Sequence, residues 1–174
     1  VPGTCPLIYF RNMHVVPRQM YGVRILMGCE INILDTQGTL DLDDSYLDML
    51  DLCIAGIHSI CWSGGTVDEN TAGMIAAIRH PKIHIISHPG DGTALLDFEP
   101  IVRAAAEAHT LLEVNNHSLA PIRKKTVARE NNLEILRLCK RYGVPVIMGS
   151  DAHISFQIAD YGRLLPLVAE TGFP

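Results

Sequence analysis

The chain has 174 residues, of which 48% are hydrophobic, and its net charge of −5 comes without a dense block of lysine and arginine. This length suits a single domain, and the charge argues against nucleic-acid binding through a basic face. No apolar run reaches the ~18 residues that a membrane-spanning helix needs, so we expect no membrane partner. The five cysteines, an odd number, predict reduced thiols in a cytoplasmic protein rather than a disulfide framework.

Apolar runs alternate with helix-like segments along the chain. The runs predict five β-strands, at residues 24–30, 52–58, 83–88, 111–115 and 144–151. Residues 32–41 predict a short hairpin that turns at Gln37-Gly38. The helix-like segments cover residues 45–50, 68–79, 97–108, 133–142 and 157–170.

The strands end in polar residues that recur about every 30 residues, the length of a βαβ unit. These residues are Glu30, His58, His88, Asn115 and Asp151. Closing a β/α barrel takes about eight strands. The chain is therefore either an open α/β sheet or a barrel whose first strands lie upstream of Val1. The polar strand ends favour the barrel, because parallel barrel strands present their carboxyl ends on one face.

Five of the residues at or just after strand ends are of the types that bind metals. We expect Glu30, His58, His88, Asp151 and His153 to converge and form a metal centre. Asp151 and His153 are two residues apart, so an extended backbone points both to the same side. Glu30 can bridge two ions, because a carboxylate has two oxygens.

Such a centre predicts hydrolysis, since paired metals activate a water and clamp both sides of a displacement at phosphorus. We count Glu30 and Asp151 as catalytic residues as well as ligands. The loop after the fourth strand carries Arg123 and Lys124, which either bind a substrate phosphate or form a solvated charge run. Asn115 either orients a substrate or serves a turn.

The remaining histidines are weaker candidates for a functional role. His84 lies inside a strand, where a packed or supporting role is expected. His80 and His109 lie at helix ends, where a cation favours the helix dipole. His117, in the loop after the fourth strand, is a lesser candidate for facing the site.

Five short motifs together resemble the polymerase and histidinol phosphatase (PHP) superfamily, and most closely its small bacterial YcdX-type phosphatases. The motifs are MGCEIN at 27–32, AGIH at 55–58, HIISHPG at 84–90, LEVNN at 112–116 and GSDAH at 149–153. The resemblance implies a distorted seven-stranded, TIM-like β/α barrel with three divalent metals, zinc with manganese or iron as alternatives. It implies that Glu30 bridges two metals, with His58 and His88 on one and Asp151 on the other. His153 would then bind the third metal.

The family also has a His-x-His motif and two further histidines that would precede Val1. The resemblance therefore makes residues 1–174 part of a single barrel domain, with about two strands and four ligands upstream. It implies a phosphomonoesterase that acts on a small phosphorylated substrate through a metal-bound hydroxide, and it allows a homotrimer.

Two alternatives remain open from the sequence. One is a C–N hydrolase of the amidohydrolase type, which would be favoured by a strand ending in lysine, and none does so. The other is a metal-poor module that packs against a partner, as some PHP domains do.

Overall fold

The computed structural model describes residues 8–121 and 127–174. The strands are β1 (Gln19–Met20), β2 (Val23–Arg24), β3 (Gly28–Asn32), β4 (Leu52–Gly56), β5 (Ile85–Ile86), β6 (Leu111–Asn115) and β7 (Val146–Gly149). The α-helices are α1 (Ile8–Arg11), α2 (Asp44–Leu47), α3 (Val67–Ile78), α4 (Phe98–Ala108), α5 (Ala128–Tyr142) and α6 (Leu165–Thr171). Among the described residues, 3-10 turns lie at Met13–Val15, His117–Leu119 and Ser155–Gln157.

Strands β3 to β7 form a five-stranded parallel sheet in chain order, while β1 and β2 pair as a small antiparallel ribbon. This confirms the predicted α/β class and the five predicted strands. Because the order never reverses, right-handed crossovers place the connecting helices on the same face of the sheet. Among the described residues the sheet is open, with β3 and β7 at its edges, so the closed barrel is not shown.

The face of the sheet that carries the helices forms the main core. The register aligns Ile31, Ala55, Ile86 and Leu112 across four adjacent strands, and each of them is at most 1% exposed. Side chains from α3, α4 and α5 pack on this row. The opposite face carries Glu30 and Glu113, since alternate strand residues point to opposite sides.

The predicted helix at 157–170 is wrong in its first half. The structure has a 3-10 turn at Ser155–Gln157, followed by loop, and α6 begins only at Leu165. Ala159 has a left-handed backbone with φ of 58°, and the Asp160 carboxylate accepts a hydrogen bond from the Gly162 amide. These local turns end the helical path despite its apolar spacing.

One other predicted segment is confirmed, and the bounds of the first predicted strand change. The hairpin at 32–41 is confirmed as a turn, closed by one antiparallel bridge between Ile33 and Leu40. The first predicted strand begins at Gly28 instead of Arg24 and continues to Asn32. Glu30 therefore lies inside β3 rather than at its end. No helix in the described ranges is long and apolar enough to cross a membrane.

Candidate metal centre

Glu30, His58 and His88 form a compact group at the carboxyl end of the sheet. Glu30 Oε1 lies 3.1 Å from His58 Nε2 and 3.1 Å from His88 Nε2, and the two Nε2 atoms are 3.2 Å apart. The imidazole rings meet edge to face, with centroids 5.1 Å apart. Three potential ligand atoms thus surround one point, as metal coordination requires.

Each histidine follows a buried strand through a tight exit. His58 lies two residues after β4, and its carbonyl accepts hydrogen bonds from the amides of Cys61 and Trp62. His88 lies two residues after β5 and has a left-handed backbone, with φ of 29°. Its amide donates to Glu113 Oε2 at 2.8 Å, which holds this unusual conformation in place.

Glu113 is a carboxylate whose part in the site the sequence did not indicate. It lies in the middle of β6 on the same face as Glu30. Its Oε1 accepts a hydrogen bond from the side-chain amide of Asn115 at 3.3 Å. Gly149 of β7 leaves the space that this side chain fills. Burial raises the pKa of Glu113, so a hydrogen bond from a backbone amide suits it better than a second close anion.

A second carboxylate lies close to the other ring nitrogen of His88. Asp91 Oδ2 lies 3.7 Å from His88 Nδ1, on the side of the ring away from Glu30. Metal-binding histidines commonly have a carboxylate at their second nitrogen, because it orients the ring and raises its basicity. The donor set of Glu30, His58 and His88, with Asp91 behind it, therefore fits a divalent transition metal.

The charges in this first group are strongly coupled. Hydrogen bonds from His58 and then His88 hold the pKa of Glu30 well below its usual range. Burial opposes protonation of His88, but the hydrogen bond to Glu30 and the charge of Asp91 outweigh it and raise its pKa.

A second group of potential ligands consists of His117, Asp151 and His153, whose ligand atoms all lie within 4.8 Å of one another. The rings of His117 and His153 stack with centroids 5.1 Å apart. His153 Nδ1 lies 3.6 Å from Asp151 Oδ1. Asp151 follows β7 and, like His88, has a left-handed backbone, with φ of 51°.

The first group and two members of the second, Asp151 and His153, line one cavity of about 490 Å³. Its walls include all five predicted ligands, together with Ser59, Ile60, Asp91, Thr93 and Ser118. The structure therefore brings the five predicted ligands to one cavity but divides them into two clusters. The volume is within the range of sites for small ligands.

The predicted substrate-binding residues have different outcomes. Asn115 is 1% exposed, and its Oδ1 accepts from the amide and hydroxyl of Ser118. These contacts match the turn alternative, and substrate binding by Asn115 stays a prediction. Arg123 and Lys124 lie outside the described residues. His84 is exposed and precedes β5, so the expected place inside a strand is wrong; its Nδ1 accepts from the Cys53 backbone amide at 3.1 Å.

Similarity to known proteins covers the whole chain. A "Probable phosphatase" of Caldicellulosiruptor saccharolyticus is 43% identical over 174 residues, which are all of this chain and 72% of the relative. One of Acetivibrio thermocellus is 40% identical over 172 residues, 99% of this chain and 70% of the relative. One of Clostridium botulinum is 36% identical over 174 residues, all of this chain and 70% of the relative. No protein-family profile matches the chain.

One similar solved structure comes from the cryo-EM structure of an archaeal ribonuclease P with mature tRNA. A chain of it superposes with a TM-score of 0.52 over 88% of this chain and 68% of that chain, at 18% identity. At this identity the likeness describes the fold alone, which agrees with the α/β architecture found here.

Proposed function

This chain belongs to the family of the bacterial proteins named probable phosphatases, and we propose that it is a metal-dependent phosphatase acting on small phosphate monoesters. The observation that carries the proposal is the position of Glu30 between His58 and His88. Asp151 and His153, which are also of metal-binding types, line the same cavity. Metal dependence and the monoester substrate go beyond the relatives' names and rest on these side chains.

The roles of the side chains follow from their contacts. His58, His88 and Glu30 would hold one divalent ion, and Glu30 could also serve a second ion, because a carboxylate has two oxygens. Asp91 and Glu113 hold His88 from its ring and from its backbone. The chemistry that divalent metals supply in such a site is activation of water and neutralisation of phosphate oxygens. This chemistry needs no serine or cysteine nucleophile.

The finer assignments remain part of the proposal. The five motifs support membership of the PHP superfamily, a distorted barrel and three metals per complete site. Zinc, manganese and iron all suit histidine and carboxylate ligands. Arg123 and Lys124 are proposed to bind the substrate phosphate, for which a guanidinium fork is suited. A cytoplasmic location and a homotrimer stay expectations from the sequence.

The test uses the full-length protein, stripped of metal and reloaded with Mn²⁺ or Zn²⁺, with p-nitrophenyl phosphate as substrate. We expect turnover that Glu30→Gln and His58→Ala each lower by at least about 100-fold. His109→Asn is the matched control, because His109 precedes β6 and lies at the amino end of the sheet, away from the candidate metal centre. It should leave turnover unchanged.

The same preparation separates the alternatives. Turnover of amide substrates without turnover of phosphate esters would replace the proposal with a C–N hydrolase. Fewer than one metal per full-length chain after reloading, together with no turnover, would replace it with a partner-binding module.

A further inference from the structure

We propose that Ser87 is a positioning residue, whose hydroxyl donates to the Glu30 carboxylate and holds it in place for ion binding. The inference rests on the proposed metal dependence and adds a side chain that is not itself a ligand. Ser87 follows β5 directly and is 3% exposed. Its place is therefore set by the end of the sheet and not by the loop after it.

The strand register places Ser87 on the same face of the sheet as Glu30. Glu30 is aligned with Ile54 of β4, and Ile54 is aligned with Ile85 of β5. Ser87 lies two residues after Ile85, so an extended backbone points both side chains to one face. The Ser87 amide donates to the Ala55 carbonyl at 2.8 Å, which continues the pairing with β4. The hydroxyl thus lies on the face that carries the candidate metal centre.

The Ser87 hydroxyl is buried without a hydrogen bond of its own. Its Oγ makes none with any residue in the ranges 8–121 and 127–174. A buried hydroxyl in this condition destabilises the fold, because it has given up its hydrogen bonds to water. Buried polar groups in proteins nearly always have a partner, so an exception indicates a role beyond packing. An acceptor that turns to Ser87 when the site binds an ion would account for this one.

Gly56 leaves the space that this hydroxyl occupies. A methyl group on Gly56 would lie 2.1 Å from Ser87 Oγ and 3.2 Å from His58 Cε1. The φ of Gly56 is not positive, so its backbone conformation does not itself require glycine. The absence of a side chain at Gly56 therefore allows the hydroxyl to lie beside the imidazole of a candidate ligand.

Glu30 is the acceptor that fits this hydroxyl. Hydrogen bonds from His58 and His88 lower the pKa of Glu30 most, and the Ser87 hydroxyl lies close enough to lower it further. Both imidazoles approach the same oxygen, Glu30 Oε1, at 3.1 Å. An Nε2 atom that binds an ion carries no proton, so neither imidazole can then donate to Glu30. The Ser87 hydroxyl keeps its proton and can hold the carboxylate in their place.

Titration of the metal-free full-length protein with Zn²⁺, and separately with Mn²⁺, tests the inference. We expect Ser87→Ala to lower affinity at least about 10-fold, in the same binding step that His58→Ala removes. Melting in excess chelator should change little, because the hydroxyl has no hydrogen bond to lose there. Ser87→Cys keeps a similar shape with a weaker donor, so its affinity should lie between those of wild type and Ser87→Ala. In a Glu30→Ala background, Ser87→Ala should weaken binding no further.

Thr110→Val is the matched control, because it also removes a buried hydroxyl but lies directly before β6, at the amino end of the sheet. The Thr110 hydroxyl donates to the Ile78 carbonyl at 3.1 Å, so its loss should lower the melting temperature and leave affinity unchanged. Wild-type affinity in Ser87→Ala would overturn the inference, and so would an equal loss in Thr110→Val or in the Glu30→Ala background. The proposed phosphatase would stand in these cases, whereas a wild-type protein that binds neither Zn²⁺ nor Mn²⁺ would overturn both.

Discussion

Gly149→Ala tests whether the space beside Glu113 supports the metal centre. A methyl group on Gly149 would lie 2.6 Å from the carboxyl carbon of Glu113 and 3.0 Å from its Cγ. The backbone of Gly149 does not itself demand glycine, since its φ is not positive. A destabilising effect of the substitution is therefore expected from the collision with Glu113.

The expected loss of stability follows from the hydrogen bonds that Glu113 would no longer accept. If its carboxylate moves, the His88 amide and the Asn115 side chain lose their acceptor. A buried donor left without a partner costs about 1–3 kcal/mol, and overpacking costs about 1–3 kcal/mol. The lower entropy of the unfolded alanine chain offsets about 0.4–1 kcal/mol. We expect a net loss of about 2–4 kcal/mol, or about 5–15 °C in melting temperature.

Thermal unfolding and Zn²⁺ titration of the full-length protein measure the two consequences. Affinity for the ion held by His88 should fall about 10- to 100-fold, as for other changes behind a ligand. Glu113→Gln keeps the shape of the side chain but has one acceptor oxygen for two donors. Its losses of melting temperature and Zn²⁺ affinity should therefore be smaller than those of Gly149→Ala. Gly162→Ala is the control, because the nearest atom to its methyl group is Asp160 Oδ1 at 3.3 Å, in an exposed turn. Wild-type melting and wild-type affinity in Gly149→Ala would refute the role of Glu113.

Two further predictions concern pH and the start of α3. The pKa of His88 is raised from 6.5 and that of Glu30 is lowered from 4.5, so in excess chelator their pair stabilises the fold between those values. Melting temperatures should fall as pH rises through the folded pKa of His88 and again as it drops below about 4.5, and His88→Gln should flatten the upper decline. Thr66→Ala removes the capping box with Glu69 at the start of α3 and should cost about 1 kcal/mol in thermal unfolding while leaving metal content unchanged. A shift in metal content, or a loss well below ~0.5 kcal/mol, would contradict this reading of Thr66.

The sequence could predict where the candidate ligands converge because that follows from strand direction. His58, His88 and Asp151 each follow an apolar run, and parallel strands bring such exits to one edge. The sequence could not separate the ligands into two groups, because that depends on the path of each chain segment after its strand. His117 joins Asp151 only through a 3-10 turn fixed by two buried asparagines.

Glu113 illustrates a different limit. A glutamate inside an apolar strand can point to solvent, to a partner or to a site. Side chains alternate between the two faces of a sheet, but this alternation does not say which face carries the site. Its role becomes visible only when Gly149 on the neighbouring strand is seen to leave room for it. The error in the last helix has a local cause, since an apolar spacing at 157–170 does not reveal the left-handed Ala159 that interrupts it.

The two left-handed ligand residues connect the fold to the proposed chemistry. His88 and Asp151 have positive φ values, which most residues other than glycine avoid, although histidine and aspartate tolerate them better than most. At a strand exit this conformation reverses the chain at once, so the side chain stays over the end of the sheet instead of following the strand outward. Glycine would make the same turn with less strain but would supply no ligand. The strain thus lies at two proposed ligands. The hydrogen bond from the His88 amide to Glu113 supports it at His88, and the His153 ring contacts the carbonyl of Asp151.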